Sequence, residues 1–441
     1  MIEKYLVKKI TEPVDWKITV PGSKSMTNRA LLMAVLSAGT VRVEGVLFSD
    51  DSRHFLACLV ALGFTVEIEE EKKCVTVTGC GGRIPRGEAV IDVGSAGTAA
   101  RFLAAMLGFS DGCYEIRCSA QMKRRPMAEL FDLLSGAGAK ITFLEEEGHL
   151  PVRITGCRYA RADKTAGETP RELSLDITKS TQFLSALLLI APMVPEGMKI
   201  HITSEKTDGS YIRITRKMMQ EFGVSVAFDG RDYEVPCRSS YQKETYMVEP
   251  DMSAACYFYA AAAVTGGRAL VRHVHMDNTQ GDLRFLEVLE HMGCTADDTP
   301  EGVLVTGPAD GALRGITVNM NDFSDQALTL AAIAPFADAP VRIEGIGHIR
   351  GQECDRIHAI QTNLTALGIR CEEEETAATI YPGSPHGGSV ETYDDHRVAM
   401  AFSLVGLRTD GIVIENPACC RKTFENYFTV LSELTGKTVE G

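Results

Sequence analysis

Pro21-Gly22-Ser23-Lys24-Ser25-Met26-Thr27-Asn28-Arg29-Ala30 runs directly into Leu31-Leu32-Met33-Ala34-Val35-Leu36. A turn signal, hydroxyls and two cations stand at the head of an apolar run of helical length. Pro-Gly punctuates a chain, and Ser or Thr caps a helix by accepting from its first free N–H groups. Those free N–H groups and the positive end of the helix dipole favour anions, and Lys24 and Arg29 add full charges there. Alone, the stretch is an ordinary capped helix with two solvated cations. It lacks the Gly-x-x-x-x-Gly-Lys spacing of a P-loop. Its weight comes from recurrence.

The same order appears six times: a polar cluster opens an Ala/Leu-rich helix, a short turn ends it, and a β-branched strand follows. The predicted helices are 27–37, 98–107, 181–191, 253–264, 325–334 and 395–404, and the predicted strands after them are 40–46, 114–118, 198–203, 269–274, 340–346 and 411–415. The helix starts lie 71, 83, 72, 72 and 70 residues apart. Each copy then carries an amphipathic helix, predicted at 51–62, 126–134, 211–222, 281–292, 354–367 and 422–434, closed by Gly63, Gly136, Gly223, Gly293, Gly368 and Gly436. Glycine there supplies a left-handed cap. The first helix of each copy is apolar all round and so should be buried, while the second has one wet face. The unit is too long and too rarely repeated for a solenoid. Three copies per body give two domains: 22–247, and 1–21 with 248–441, with crossings near 21–22 and 247–250. The wider second interval marks an insertion, placed at 145–172.

Composition is that of an ordinary globular chain. Of 441 residues, 45% are hydrophobic and 24% charged, which suits a large core and leaves no low-complexity tract. A net charge of −14 repels nucleic acid and anionic membranes, so an anionic small molecule needs a local cluster of cations. Thirteen cysteines without a Cys-x-x-Cys pair, no secretory leader and no membrane-length apolar run point to a reduced, cytoplasmic setting.

The six helix starts carry the chemistry. They hold Ser23, Lys24, Ser25 and Arg29; Ser95, Gly97, Thr98 and Arg101; Ser180, Thr181 and Gln182; Asp251 and Ser253; Ser324, Asp325 and Gln326; and Asp394, Asp395, His396 and Arg397. Brought together in a cleft, helix ends, hydroxyls and cations suit a polyanion. Asp325 and Asp395 do not fit simple anion binding. A carboxylate among cations is a candidate general base, although Asp, Ser and Thr also cap helices for purely structural reasons. No cluster has metal-ligand spacing and no Gly-x-Ser-x-Gly elbow occurs.

Seven motifs in register resemble the 5-enolpyruvylshikimate-3-phosphate (EPSP) synthase family. They are Pro21-Gly22-Ser23-Lys24-Ser25 with Asn28-Arg29-Ala30-Leu31; Ala96-Gly97-Thr98-Ala99-x-Arg101; Met122-Lys123-x-Arg125-Pro126; Gln182-Phe183-Leu184; Glu353-x-Asp355-Arg356; Asp395-His396-Arg397-x-Ala399-Met400; and Lys422-Thr423-Phe424. The resemblance implies a two-domain inside-out α/β barrel of six βαβαββ repeats, with the active site in the interdomain cleft. It implies transfer of the enolpyruvyl group of phosphoenolpyruvate to the 5-hydroxyl of shikimate 3-phosphate, no metal or organic cofactor, a cytoplasmic monomer, and inhibition by glyphosate with Gly97 leaving the room. By position, Ser25 and Arg29 would hold the shikimate carboxylate. Ser180 and Thr181 would hold its phosphate beside Lys24, with Gln182, Tyr211, Asp325 and Gln352 completing the acceptor site. Arg356 and Arg397 would clamp the enolpyruvate carboxylate. Arg125, Lys422, Gln182 and the Gly97 backbone would take the leaving phosphate. Asp325 would be the base at the 5-hydroxyl, and Glu353 with Lys24 would move the methyl proton.

Three departures stand out. Gln352 replaces a lysine usual in that family and His348 an asparagine, and Arg350 is the expected substitute for the missing charge. Asp208 replaces a serine, so Thr207 or Ser210 is expected to take its place at the phosphate, or the contact is lost. Three other readings stay open: the sister transferase acting on UDP-N-acetylglucosamine, against which Ala120 stands where that family commonly has cysteine; a non-catalytic anion binder; and a transferase with a shifted acceptor.

Overall fold

The structure is a computed structural model describing residues 3–157, 170–308 and 312–436. The chain divides into two compact units, Gly22–Glu249, and Met1–Pro21 with Pro250–Gly441. The second crossing falls after Glu249 rather than after Met247. Val248 belongs to the first of these units: its N–H donates to Glu44 O at 2.9 Å and its side chain lies in that core. Much of the insertion placed at 145–172 lies outside the described residues.

In the unit Gly22–Glu249 the second copy is complete in itself. Glu88–Asp92 runs parallel to Cys113–Arg117, which pairs antiparallel with Val152–Thr155, and that with Lys140–Phe143. The third repeats the plan with Arg171–Leu175, Met198–Ile202, Asp232–Val235 and Ala227–Phe228. A parallel pair needs a crossover, and the buried helix supplies it. The first copy lacks a strand before its helix. It takes Thr245–Met247, from the far end of the unit, parallel to Thr40–Glu44.

The other unit solves the same problem with the chain's start. Its fourth copy pairs Arg268–Arg272 in parallel with Asp15–Ile18. Its fifth is self-contained, Thr317–Asn319 beside Val341–Glu344. Its sixth has Gly388–Val390 parallel to Ile412–Glu415 and is closed by Lys4–Leu6. The first residues thus complete two sheets of a unit whose body lies beyond residue 249, which is why the unit is discontinuous.

The inner helices are buried as their all-round apolarity requires. Several boundaries differ from expectation where polar residues start or end a turn. The first helix, Lys24–Leu36, begins at Lys24, which places the cation in its first turn. In the fifth copy Ser324–Gln326 is a 3-10 turn ahead of Ala327–Ile333, so Asp325 sits on a tight turn. The outer helix expected at 126–134 is a short helix Ala120–Lys123 followed by Ala128–Gly136, and the left-handed residue is Gly138, not Gly136. The last outer helix is broken too: Pro417–Lys422 is a 3-10 turn, and Tyr427–Leu434 follows. Among the described residues no helix is long and apolar enough to cross a membrane.

Candidate active site

In the unit that includes Pro250–Gly441, four side chains from three segments converge on one guanidinium. Arg356 opens the helix Arg356–Ala366, capped by the Asp355 carboxylate, and its side chain is 1% exposed. Its Nε donates to Asp395 Oδ2 at 2.8 Å. Nη1 donates to Asp325 Oδ1 at 3.0 Å and to Gln352 Oε1. Nη2 donates to Glu353 Oε2 at 3.0 Å and to Asp395 Oδ1 at 3.3 Å. All five N–H donors are used. Burial alone would lower the Arg356 pKa, but Asp395, Glu353 and Asp325 outweigh it and raise it.

Three of these acceptors serve more than one partner. Asp395 caps the helix His396–Arg408 through the Arg397 N–H at 2.9 Å. Asp325 Oδ2 accepts from Arg397 Nη2 at 2.9 Å, so this carboxylate bridges two arginines. Glu353 Oε1 lies 3.2 Å from Lys422 Nζ, and that buried ammonium contacts the charge without an aligned hydrogen bond. Behind Asp325 lies a residue that sequence reasoning missed. Asp282 is buried, accepting from Ser253 Oγ and, at 2.9 Å, from Gln326 Nε2. Burial, with the Asp325 charge beside it, pushes its carboxyl up to about 6. No periodicity marks it, since Gln280-Gly281-Asp282 reads as a plain helix entry.

The unit Gly22–Glu249 is built differently. Arg29, 0% exposed, donates from Nε to Thr215 Oγ1 at 2.8 Å, from Nη1 to Ser25 O at 3.0 Å and from Nη2 to Gln182 Oε1 at 3.0 Å and Tyr211 O at 3.3 Å. Its guanidinium lies 5.2 Å from the Phe102 ring centroid and 5.7 Å from that of Tyr211. Among the described residues no carboxylate pairs with it. Burial pulls its pKa down to about 10, so it remains a cation at neutral pH. Lys24 Nζ lies 3.4 Å from Asp51 Oδ2 of the neighbouring helix Asp50–Ala61. Ser180 caps the helix Thr181–Ile190 by accepting from Gln182 N at 3.3 Å. Gly97 opens Gly97–Gly108, and a Cβ there would stand 2.4 Å from Arg125 Nη1 and 2.8 Å from Arg101 Nη1. Two guanidinium tips therefore pack against the bare glycine.

The departures resolve locally. Arg350 does not stand in for the missing lysine at 352. Its guanidinium is held by Asp355 at 2.8 Å, Glu373 at 2.8 Å and the carbonyls of Glu374 and Glu375. His348 Nε2 meets Ser324 Oγ at 2.8 Å, next to Asp325. The Asp208 carboxylate is engaged by Arg213 Nη1 at 2.9 Å and by the Tyr233 hydroxyl at 3.2 Å.

A family model described as EPSP synthase (3-phosphoshikimate 1-carboxyvinyltransferase) matches residues 8–431. A 3-phosphoshikimate 1-carboxyvinyltransferase of Trichormus variabilis is 41% identical over 429 residues, covering 97% of this chain and 98% of that protein. One from Nostoc punctiforme is 41% identical over 421 residues, covering 95% and 96%. An EPSP synthase structure from Acinetobacter baumannii superposes with a TM-score of 0.79 at 25% identity, covering 99% of this chain and 98% of that one. The enolpyruvyl transferase NikO from Streptomyces tendae shares the fold, with a TM-score of 0.72 at 17% identity over 98% of this chain and 97% of its own. With sequence match and fold agreeing over nearly the whole length, the chain belongs to the EPSP synthase family.

Proposed function

We propose that the protein transfers the enolpyruvyl group of phosphoenolpyruvate to the 5-hydroxyl of shikimate 3-phosphate and releases phosphate. The observation that carries the reading is the convergence of Asp325, Glu353, Asp395, Arg397 and Lys422 around Arg356. It combines a carboxylate between two arginines with a second carboxylate between an arginine and a lysine. Such a set can bind a carboxylate and a phosphate while moving protons.

Glu353, with Lys24, delivers a proton to the enol methylene, which makes C2 electrophilic, and the 5-hydroxyl oxygen attacks it as Asp325 accepts the hydroxyl proton. The tetrahedral adduct then loses a methyl proton to Glu353, assisted by Lys24, as the C2–O bond to phosphate breaks. Arg356 and Arg397 hold the enolpyruvate carboxylate by exchanging their carboxylate partners for it. Lys422, whose ammonium has no hydrogen-bond acceptor among the described residues, takes the leaving phosphate together with Arg125, Gln182 and the Gly97 N–H. Ser25, Arg29, Ser180, Thr181, Gln182, Tyr211 and Gln352 hold the acceptor. Glyphosate competes at the Gly97 side, and insensitivity to millimolar glyphosate would contradict that assignment. The protein works as a cytoplasmic monomer without a cofactor.

The deciding assay measures phosphate release from phosphoenolpyruvate with either shikimate 3-phosphate or UDP-N-acetylglucosamine. Release with shikimate 3-phosphate alone is the expected result, and release with the sugar nucleotide alone overturns the reading. Asp325→Asn and Glu353→Gln should each lower turnover by about 10²–10⁴ with the protein still folded. Lys24→Met should abolish turnover.

A further inference from the structure

The helix Arg356–Ala366 carries an amide on its buried face. Asn363, about two turns on from Arg356, is 2% exposed and shares that face with the buried Ile360 and Leu364. Asparagine is a poor helix former and is costly to bury unless its amide is satisfied. Here it is satisfied. Nδ2 donates to Ala359 O at 3.0 Å and to Glu391 O at 3.0 Å, and Oδ1 accepts from Glu391 N at 2.9 Å. The Glu391 N–H can only donate, so it fixes which end of the amide faces it. One side chain thus pairs with both backbone groups of a residue 28 positions away, as a neighbouring strand would.

Glu391 follows directly on the strand Gly388–Val390 and leads to Asp395 and the helix His396–Arg408. Between them the chain makes a tight turn. Asp395 N donates to Thr392 O at 2.8 Å, and both central residues, Tyr393 and Asp394, are left-handed at φ 53° and 56°. Residues other than glycine hold that conformation only where their surroundings impose it. The Glu391 carboxylate accepts from Tyr393 N at 3.1 Å, and Asn416 Nδ2 donates to Asp394 Oδ1 at 3.1 Å. Asn363 adds the third restraint by bolting the entry of the turn to the helix that Arg356 opens. Arg356 and Asp395 are therefore joined twice, once by their 2.8 Å ion pair and once through Asn363 and Glu391. An incoming carboxylate competes for the first link, because it offers the guanidinium what Asp395 and Asp325 offer. It does not compete for the second, which is made of neutral groups.

We propose that Asn363 is a positioning residue for the two arginines that take the enolpyruvate carboxylate. Its amide keeps Arg356 in register with the turn that sets Asp395 and Arg397 while the ion pairs among them are exchanged. This rests on the reading of Arg356 and Arg397 as the carboxylate clamp.

The test is steady-state phosphate release by the full-length protein, each substrate varied with the other saturating, in Asn363→Ala and Asn363→Leu. Leucine keeps the volume and removes only the hydrogen bonds. In both variants kcat/KM for phosphoenolpyruvate should fall about tenfold or more, while KM for shikimate 3-phosphate stays within about threefold. In the wild type, the Glu391 amide should stay protected from hydrogen exchange, followed by NMR, with and without phosphoenolpyruvate. Unchanged kcat/KM for phosphoenolpyruvate overturns the proposal and leaves the clamp reading intact. A leucine variant that matches wild type where alanine does not would show that Asn363 only fills space, and overturns it. Parallel rises in both KM values would show a general loss of structure, and also overturn it. Loss of Glu391 protection on adding phosphoenolpyruvate overturns it even where neither variant folds. Wild-type protein that releases no phosphate with shikimate 3-phosphate overturns the clamp reading and the proposal together.

Discussion

Arg356 and Arg29 are both fully buried arginines, one in the first and one in the second turn of a helix, one in each unit, and they are held in opposite ways. Arg356 spends all five donors on acceptors, three of them carboxylates, and its charge is locally cancelled. Arg29 spends its donors on a threonine, a glutamine and carbonyls, leaving its charge uncancelled. The first centre already contains anions that an incoming carboxylate has to replace. The second is short of one. Removing the two arginines should therefore have unequal consequences. Arg356→Met leaves Asp395 without its guanidinium and Asp325 and Glu353 with one cation each, all with side chains no more than 12% exposed, and removing one partner of a buried pair costs roughly 3–5 kcal/mol. Urea unfolding should show that loss together with loss of turnover. A cost below about 1 kcal/mol would mean that the carboxylates are not held as ions by Arg356.

Asp282 sharpens the same contrast from the acid side. Its carboxyl titrates near 6 in the folded protein against 3.8 for a free aspartate. A raised carboxyl binds its proton more tightly in the folded state than in the unfolded one. Its contribution is therefore fully present below about 3.8 and is lost as pH rises through 6. The loss is at most roughly 3 kcal/mol. Asp282→Asn keeps an oxygen for Ser253 and removes the titration, so the variant should gain on wild type in urea unfolding as pH rises from 4 to 7.5. A gap that stays constant with pH would show that the surroundings do not raise the Asp282 carboxyl. Because Asp325 is one cause of the shift, the rate profile of the variant should also move if Asp325 is the base.

These two centres were unequally legible in the sequence. The sixfold recurrence is a local pattern, a period of apolar residues followed by Gly, so the repeats could be read directly. Which strand completes which copy could not, because Thr245–Met247 and Asp15–Ile18 pair across most of a unit and carry no mark of their partner. Asp325 and Arg397 stand out at helix starts, and Glu353 and Arg356 by likeness of motifs. Their mutual arrangement does not, since Asp395 looks like a plain helix cap and becomes a guanidinium partner only after folding. Arg350 misled for a related reason. Its nearness in sequence to Gln352 suggested a spare charge, whereas Glu373 and the carbonyls of the adjoining strand claim it. At Asp208 the sequence shows only a lost hydroxyl; that Arg213, five residues on, turns back to its carboxylate appears only in the fold.

The smallest effect tests the other side of the opening contrast. Arg29→Met removes a charge that burial already penalises, as its lowered pKa records. Hydrogen bonds to neutral acceptors are each worth about 1 kcal/mol net, and the desolvation relieved offsets part of their loss. Thr215 Oγ1 keeps bonds to Ser185 at 3.0 Å and Tyr211 O at 2.7 Å, and the half-buried Gln182 can turn to water. Methionine is flexible enough to fill the space between Phe102 and Tyr211. The variant should therefore unfold within about 1 kcal/mol of wild type, yet bind shikimate 3-phosphate far more weakly. A stability loss as large as that of Arg356→Met would show that Arg29 has an internal counterion, and the contrast would fail. Unchanged stability with unchanged binding would instead show that the charge has no ligand to meet.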